Sequence, residues 1–518
     1  MRSVIRLVSI CVVTSLVAAC GGDDSDGNGM PASGVGTPIR GSLVDGSAPA
    51  KIQSVSATDM QGMMDSSSGP TADFLKSVFT LQCSIDIYRL QYQTVGAQGE
   101  ATTASAALMV PSGSKSQCQG ARPIAMYAHG TSDDKGYNIA DIRNNAEGLL
   151  IAAAFAARGY IVVAPNYAGY DTSSLTYHPY LNADQNSKDM IDALTAARTS
   201  LKMITQSVTD SGKLYLSGYS QGGYVAMATH RALQAAGQAV TASAPMSGPY
   251  ALAAFGDAIF QGRVTMSGPL NVTLLATSYQ RAYGNLYTNL TDLYEAQYAP
   301  GIDMLFPSTI GAGTLCSQGK IPCDQLFNST PPDPMFAGIT PATDPANLAA
   351  VFANGFGPNN LITNSARLAA LQDAQTAPDG GFPTITTGIP AANPANPLRQ
   401  ALKKNDLRNW APTAPQLLCA GNSDPTVLFM NTQLIQNYWT TNPPPGAVTV
   451  LDIDSSSSPN DAFSSFKNGF SIARDIVAAT AVIGGAKDGG QSAVLNAYHA
   501  TLVAPFCLAA VASFFDGI

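Results

Sequence analysis

Charge is scarce in these 518 residues: 12% are Asp, Glu, Lys or Arg, and 27 basic residues face 35 acidic ones. A net charge of −8 has the wrong sign for a nucleic-acid partner, and no basic stripe runs along the chain. Histidine is rarer still, with four residues, His129, His178, His230 and His499. They form no cluster and no C-x-x-C accompanies them, so neither a metal site nor a cofactor is expected. The apolar run Leu7 to Ala19 is too short to span a membrane comfortably.

That run follows the basic start Met1-Arg2-Ser3-Val4-Ile5-Arg6 and has the form of a signal peptide over residues 1–19. It ends in Leu16-Val17-Ala18-Ala19-Cys20-Gly21, which resembles a bacterial lipoprotein signal. Cleavage before Cys20 and acylation of its thiol would anchor the chain to a membrane, and Gly21 in place of Asp favours the outer membrane. Removal of Arg2 and Arg6 takes the 27 basic residues to 25 against 35 acidic, a net −10 for the exported chain. Residues 20–45 are rich in Gly, Asp, Ser and Pro and read as a flexible tether. Within it, Asp24-Ser25-Asp26-Gly27-Asn28-Gly29 lacks the closing Glu of a calcium loop, since Val35 stands at the twelfth position.

The most informative motif is Gly218-Tyr219-Ser220-Gln221-Gly222, directly behind the apolar run Leu214-Tyr215-Leu216-Ser217. A strand entering G-x-S-x-G and leaving as a helix, here Gln221 to Ala236, is a nucleophile elbow, which presents the serine on a sharp turn. The helix N-terminus then points at the place where negative charge develops in acyl transfer. With His129-Gly130-Thr131 and the segment Gly159 to Tyr170, the motif resembles the α/β-hydrolase superfamily, and within it the secreted lipases and esterases of the Candida antarctica lipase A group. The resemblance covers roughly residues 80 to 250 and 410 to 515.

It implies a doubly wound, mostly parallel sheet and a nucleophile–acid–histidine chain order. Among the histidines, His499 alone lies downstream of the acid region. Asp424, in a Gly/Asn/Ser turn after the strand Pro415 to Ala420, is the expected acid; the alternative is that it caps a helix starting near Pro425. Asp452, Asp454 and Asp461 are its rivals. Ser220 would then attack an acyl carbonyl, with His499 as base and Asp424 orienting the imidazole. The oxyanion would be held by the backbone N–H of Gln221 and of Thr131, with His129 bracing the loop.

Two departures from the fungal lipases stand out: the bacterial, lipid-anchored start, and a Ser/Gly-rich insertion that separates Asp424 from His499. Setting aside Cys11 and Cys20, six cysteines remain, and proximity in the implied fold suggests Cys83–Cys118, Cys316–Cys323 and Cys419–Cys507. Disulfides suit an exported chain.

Strands are expected near Ala106–Val110, Arg122–Ala128, Tyr160–Ala164 and Ala239–Ala244. Helices are expected at Asn145–Arg158, Ser187–Ser200 and Leu502–Phe515. Residues 46–247 and 411–518 read as two parts of one hydrolase core. Between them, 248–410 breaks the alternation and gathers aromatics, including Tyr250, Phe255, Phe260, Tyr279, Tyr283, Tyr287, Tyr294, Tyr298 and Phe306, with Met304; a helix is expected over Leu274–Leu293 and another over Ala366–Thr376. An insertion here is a cap that gates an apolar acyl pocket, or a subdomain whose aromatics form its own core. Tyr167 and Tyr170 are expected to line the same cleft. The expectation is an exported, monomeric serine esterase or lipase for a small or lipid-like ester. The alternatives are a peptidase or amidase on the same fold and a noncatalytic envelope protein.

Overall fold

The computed structural model describes residues 39–66, 68–380 and 388–518. The signal peptide, Cys20 and the Asp24–Gly29 segment lie outside them. The described chain is built on a nine-stranded sheet. In chain order the strands are β1 (Ala50–Val55), β2 (Ser84–Val95), β3 (Ala101–Ser112), β4 (Gly120–Ala128) and β5 (Ile161–Pro165), followed by β6 (Val208–Tyr219), β7 (Ala242–Met246), β8 (Gln416–Ala420) and β9 (Val448–Asp452). Their spatial order is β1-β2-β3-β5-β4-β6-β7-β8-β9. The first three strands and the β3–β5 pair are antiparallel, whereas β5 through β9 run parallel.

Period-two alternation distributes side chains to the two faces. On β4, Ile124, Met126 and Ala128 join the core that includes Leu108, Val163 and Leu216. Ala125 and Tyr127 join the opposite one with Met109, Val162 and the closing helix. Both faces are covered, so β5, β7 and β8 are buried throughout and read as continuous apolar runs. The chain leaves β4 for β5 on one side and returns to place β6 on the other. The carboxyl ends of β4 and β6 therefore border the switch in strand order, where ligands bind in open α/β sheets.

Several expected elements are displaced for identifiable reasons. The tether ends earlier than residue 45: the N–H groups of Gly41 and Val44 donate to Gln93 and Gln91 of β2, and Leu43 is buried against the sheet. The helix expected at Leu274–Leu293 occupies Gly268–Tyr283 and stops at Gly284, whose φ of 70° suits a residue without Cβ. The Ser/Gly-rich insertion after β9 is largely helical, with helices at Ser464–Ile483 and Gln491–Ala497. The closing helix spans Ala504–Asp516 and is preceded by a π-helical turn, Tyr498–Val503. Asp424 starts no helix at Pro425; the next one begins at Met430.

Between β7 and β8 the chain forms helices at Leu252–Phe260, Gly268–Tyr283, Asn364–Thr376 and Pro397–Lys404, among shorter turns. Buried ion pairs tie this region together. Arg399 holds Asp257 and Asp373, and Arg408 holds Asp379 and Asp406. Each guanidinium is satisfied by several carboxylate oxygens, the condition under which a buried charge is tolerated. Three disulfides join Cys83 to Cys118, Cys316 to Cys323 and Cys419 to Cys507. The last ties β8 to the closing helix. Such bonds suit a chain that folds in an oxidising compartment.

Candidate active site

Ser220 sits where β6 turns into the helix Gln221–Ala235, with φ 58° and ψ −120°. This is a sparsely populated conformation for a residue with a Cβ, and it persists because its surroundings fix it. The Ser220 N–H donates to Met246 O at 3.0 Å. The flanking glycines allow close backbone approach. A Cβ on Gly218 would stand 2.6 Å from Ala128 O, and one on Gly222 would stand 2.7 Å from His129 O. The elbow is therefore pressed against the end of β4, which continues into His129-Gly130-Thr131.

His499 lies on the π-helical turn, and its Nδ1 is 2.7 Å from Asp424 Oδ2. Asp424 is buried, and its other oxygen accepts the N–H groups of Thr426 at 2.9 Å and Val427 at 3.0 Å. Asp424 thus closes a turn with one oxygen and holds the imidazole with the other, and the helix that it was expected to cap at Pro425 is absent. Its rivals are engaged elsewhere: Asp454 pairs with Arg474 and accepts the Tyr498 hydroxyl, Asp452 accepts from Asn422, and Asp461 pairs with Lys467. His499 Nε2 is buried and has no hydrogen-bond partner among the described residues. Tyr219 donates its hydroxyl to the His499 carbonyl, and its ring centroid lies 4.8 Å from the imidazole.

Ser220, Gln221, Thr131 and His499 all line one cavity of about 720 Å³. Its wall from the insertion is mainly aliphatic, with Leu252, Ile259, Leu270, Val272, Leu275 and Leu402. Of the aromatics expected there, Phe255 alone lies on the wall. Tyr250, Tyr279 and Tyr294 are fully buried in the core. Tyr167 and Tyr170 do not line the cavity either. Tyr167 has φ 64°, and both rings pack inward with the histidines, Tyr167 stacking on His129 at 4.1 Å and Tyr170 lying 4.7 Å from His178.

The remaining histidines are buried and neutral. Burial pushes His129 down to about 4, His178 to about 3 and His230 to about 4. His129 stacks between Tyr137 and Tyr167, and its Nδ1 lies 2.6 Å from Gly130 O. It braces the loop that carries Thr131. One residue of the site has no sequence signal at all. Glu147, on the cavity wall, accepts the hydroxyls of Tyr127 at 2.8 Å and Tyr137 at 3.1 Å and the N–H of Gly130 at 3.1 Å. Burial raises its pKa although these three donors oppose the shift.

A doubly wound sheet, a serine on a strained strand-to-helix turn and an imidazole held by a carboxylate after a later strand make this the α/β-hydrolase fold. The prolyl oligopeptidase family profile matches residues 150–285. No curated protein matches the chain significantly by sequence. Among solved structures, it is similar to the rice cell wall degrading esterase LipA from Xanthomonas oryzae, with 24% identity and a TM-score of 0.62. That match covers 89% of this chain and 98% of the other. A protein from Legionella pneumophila matches at 19% identity and a TM-score of 0.56, covering 78% and 90%. Candida antarctica lipase A matches at 12% and 0.46, covering 81% and 78%.

Proposed function

We propose that the protein is an exported serine hydrolase that cleaves carboxylic esters through an acyl-enzyme. One arrangement carries this reading. Ser220 on its strained elbow and an imidazole clamped at Nδ1 by Asp424, with Nε2 left unpartnered, share the wall of a largely apolar cavity. In the reaction, His499 Nε2 takes the Ser220 proton as Oγ attacks the acyl carbonyl, and returns it to the departing alkoxide. Water then repeats the sequence on the acyl-enzyme. Asp424 keeps the remaining imidazole proton on Nδ1 and stabilises the imidazolium. The backbone N–H groups of Gln221 and Thr131 receive the oxyanion. The Ser220–His499 bond forms in the substrate complex, as such bonds often tighten only then. The insertion 248–410 acts as a cap that supplies the acyl pocket.

The test is turnover of p-nitrophenyl esters from acetate to palmitate by wild type and Ser220→Ala, with fluorophosphonate labelling of Ser220. Loss of turnover and labelling in the variant supports the esterase. The prolyl oligopeptidase match favours a second reading, a peptidase, and faster cleavage of peptidyl anilides than of any ester would establish it. Folded wild type that resists labelling would leave a noncatalytic envelope protein. We further propose that acylated Cys20 anchors the protein to the cell envelope. Cys20→Ser should then move it from the detergent to the aqueous phase of a Triton X-114 partition.

A further inference from the structure

His178 lies on the loop after β5, far in sequence from the elbow, yet its Nε2 is 2.6 Å from the side-chain Nε2 of Gln221. Both side chains are buried. The other ring nitrogen, Nδ1, is 2.9 Å from Ala168 O, an acceptor only. A neutral imidazole carries one proton, and the carbonyl requires it on Nδ1. Nε2 is then an acceptor, and the Gln221 amide must donate to it. Burial holds His178 in that neutral state, at about 3. The amide oxygen of Gln221 has no partner among the described residues, so this contact is the side chain's anchor. The imidazole is itself fixed by the Ala168 carbonyl and by the rings of Tyr167 and Tyr170.

We propose that His178 is a positioning residue for the oxyanion hole: it holds Gln221 by its side chain and thereby aims the Gln221 backbone N–H at the reacting carbonyl. The inference rests on the serine-hydrolase reading of Ser220. Gln221 is the first residue of the elbow helix, follows the nucleophile directly and touches the cavity. A side chain tied to a loop outside the elbow gives that peptide a reference that the helix alone does not supply. The same stacked rings continue from His178 through Tyr167 to His129, which braces the loop bearing the other donor, Thr131. One buried column therefore sets both halves of the hole.

The test compares Gln221→Ala, Gln221→Met, His178→Phe and the double variant His178→Phe/Gln221→Ala on the best p-nitrophenyl ester. Gln221→Ala keeps the backbone N–H, so any loss reports its placement. The expected result is a kcat lower by about 10- to 100-fold with KM little changed. A trifluoromethyl ketone bearing the same acyl chain, which forms a tetrahedral adduct at the serine, should bind more weakly by the same factor. Gln221→Met, of similar length but lacking any donor, should lose as much. The double variant should be no worse than the poorer single variant, because both changes break one contact. Wild-type kcat in folded Gln221→Ala overturns the proposal, as does a double variant in which the two losses multiply. If His178→Phe does not fold, the two Gln221 variants decide alone. Full activity in Ser220→Ala would instead overturn the hydrolase reading, which separates the two failures.

Discussion

Replacing Gly222 by alanine tests the geometry of the elbow most directly. The added Cβ would meet the backbone at the end of β4, 2.5 Å from the carbonyl carbon of Ala128 and 2.7 Å from His129 O. Ordinary contact begins near 3.4 Å, so the elbow helix and the end of β4 must part by about 1 Å or more. No flexible side chain is there to absorb the shift. Overpacking of this kind costs about 1–3 kcal/mol. The larger effect falls on chemistry, because the two segments forced apart carry Ser220 with Gln221 and Gly130 with Thr131. A misplacement of about 1 Å costs roughly 10²-fold in rate. Gly222→Ala should therefore stay folded by circular dichroism with a lowered Tm, and lose about 100-fold in kcat/KM for its best ester. Gly62→Ala is the control. A Cβ there meets nothing within 4 Å and the residue is mid-helix, so activity should be unchanged and stability equal or up to about 1 kcal/mol higher. Gly222→Ala with wild-type Tm and kcat/KM would refute the argument that close backbone approach shapes the site.

Two further outcomes separate neighbouring explanations. Asp424→Asn should lower kcat by roughly 10³- to 10⁴-fold by releasing the imidazole tautomer, whereas Asp454→Asn, whose carboxylate serves Arg474 and Tyr498, should lower Tm and leave kcat within about tenfold; equal losses of kcat in the two would reject the assignment of Asp424. His230 is buried, with Nδ1 2.8 Å from Ser243 Oγ, and is held down at about 4, below its unfolded value of about 6.5, so the unfolded chain binds the extra proton and stability falls as pH drops through that window. Asp189, raised to about 6, acts in the opposite direction in wild type and variant alike; urea unfolding of His230→Gln should therefore lose about 2 kcal/mol less than wild type between pH 7 and pH 4.5, and parallel curves would show that the imidazole is not kept neutral.

The catalytic candidates were legible in sequence because each rests on a local or ordinal rule. G-x-S-x-G behind an apolar strand specifies a turn, and the chain order leaves one histidine of four after the acid region. Turns whose chemistry is equally local were legible too, as with Asp424 among Gly, Asn and Ser. Contacts between distant segments were not. Asp424 meets His499 while Asp454 is taken up by Arg474 from the helix Ser464–Ile483, and nothing near Asp454 in sequence announces that pairing. Glu147 reads as an ordinary acid in the first turn of a helix. It becomes part of the site only because β4 brings Tyr127 and Gly130 against it.

The insertion shows the same division from the other side. Its richness in aromatics was plain, but composition does not say which way a ring points. Folding sent most of them into the core and left aliphatic side chains on the cavity wall, because the broad rings bury more apolar area per residue. Tyr167, at φ 64°, and Tyr170 pack inward on His129 and His178, contacts that no residue type at those positions signals. His178 was set aside by chain order and lies in no motif, yet it touches the residue that follows the nucleophile. The sequence by itself determined the fold class, the elbow and the order along the chain of Ser220, Asp424 and His499, since those are written in periodicity, glycine placement and succession along one chain. Tertiary structure decided which carboxylate meets the imidazole, what lines the cavity and what the Gln221 side chain touches, since each depends on side chains from segments that only packing brings within reach.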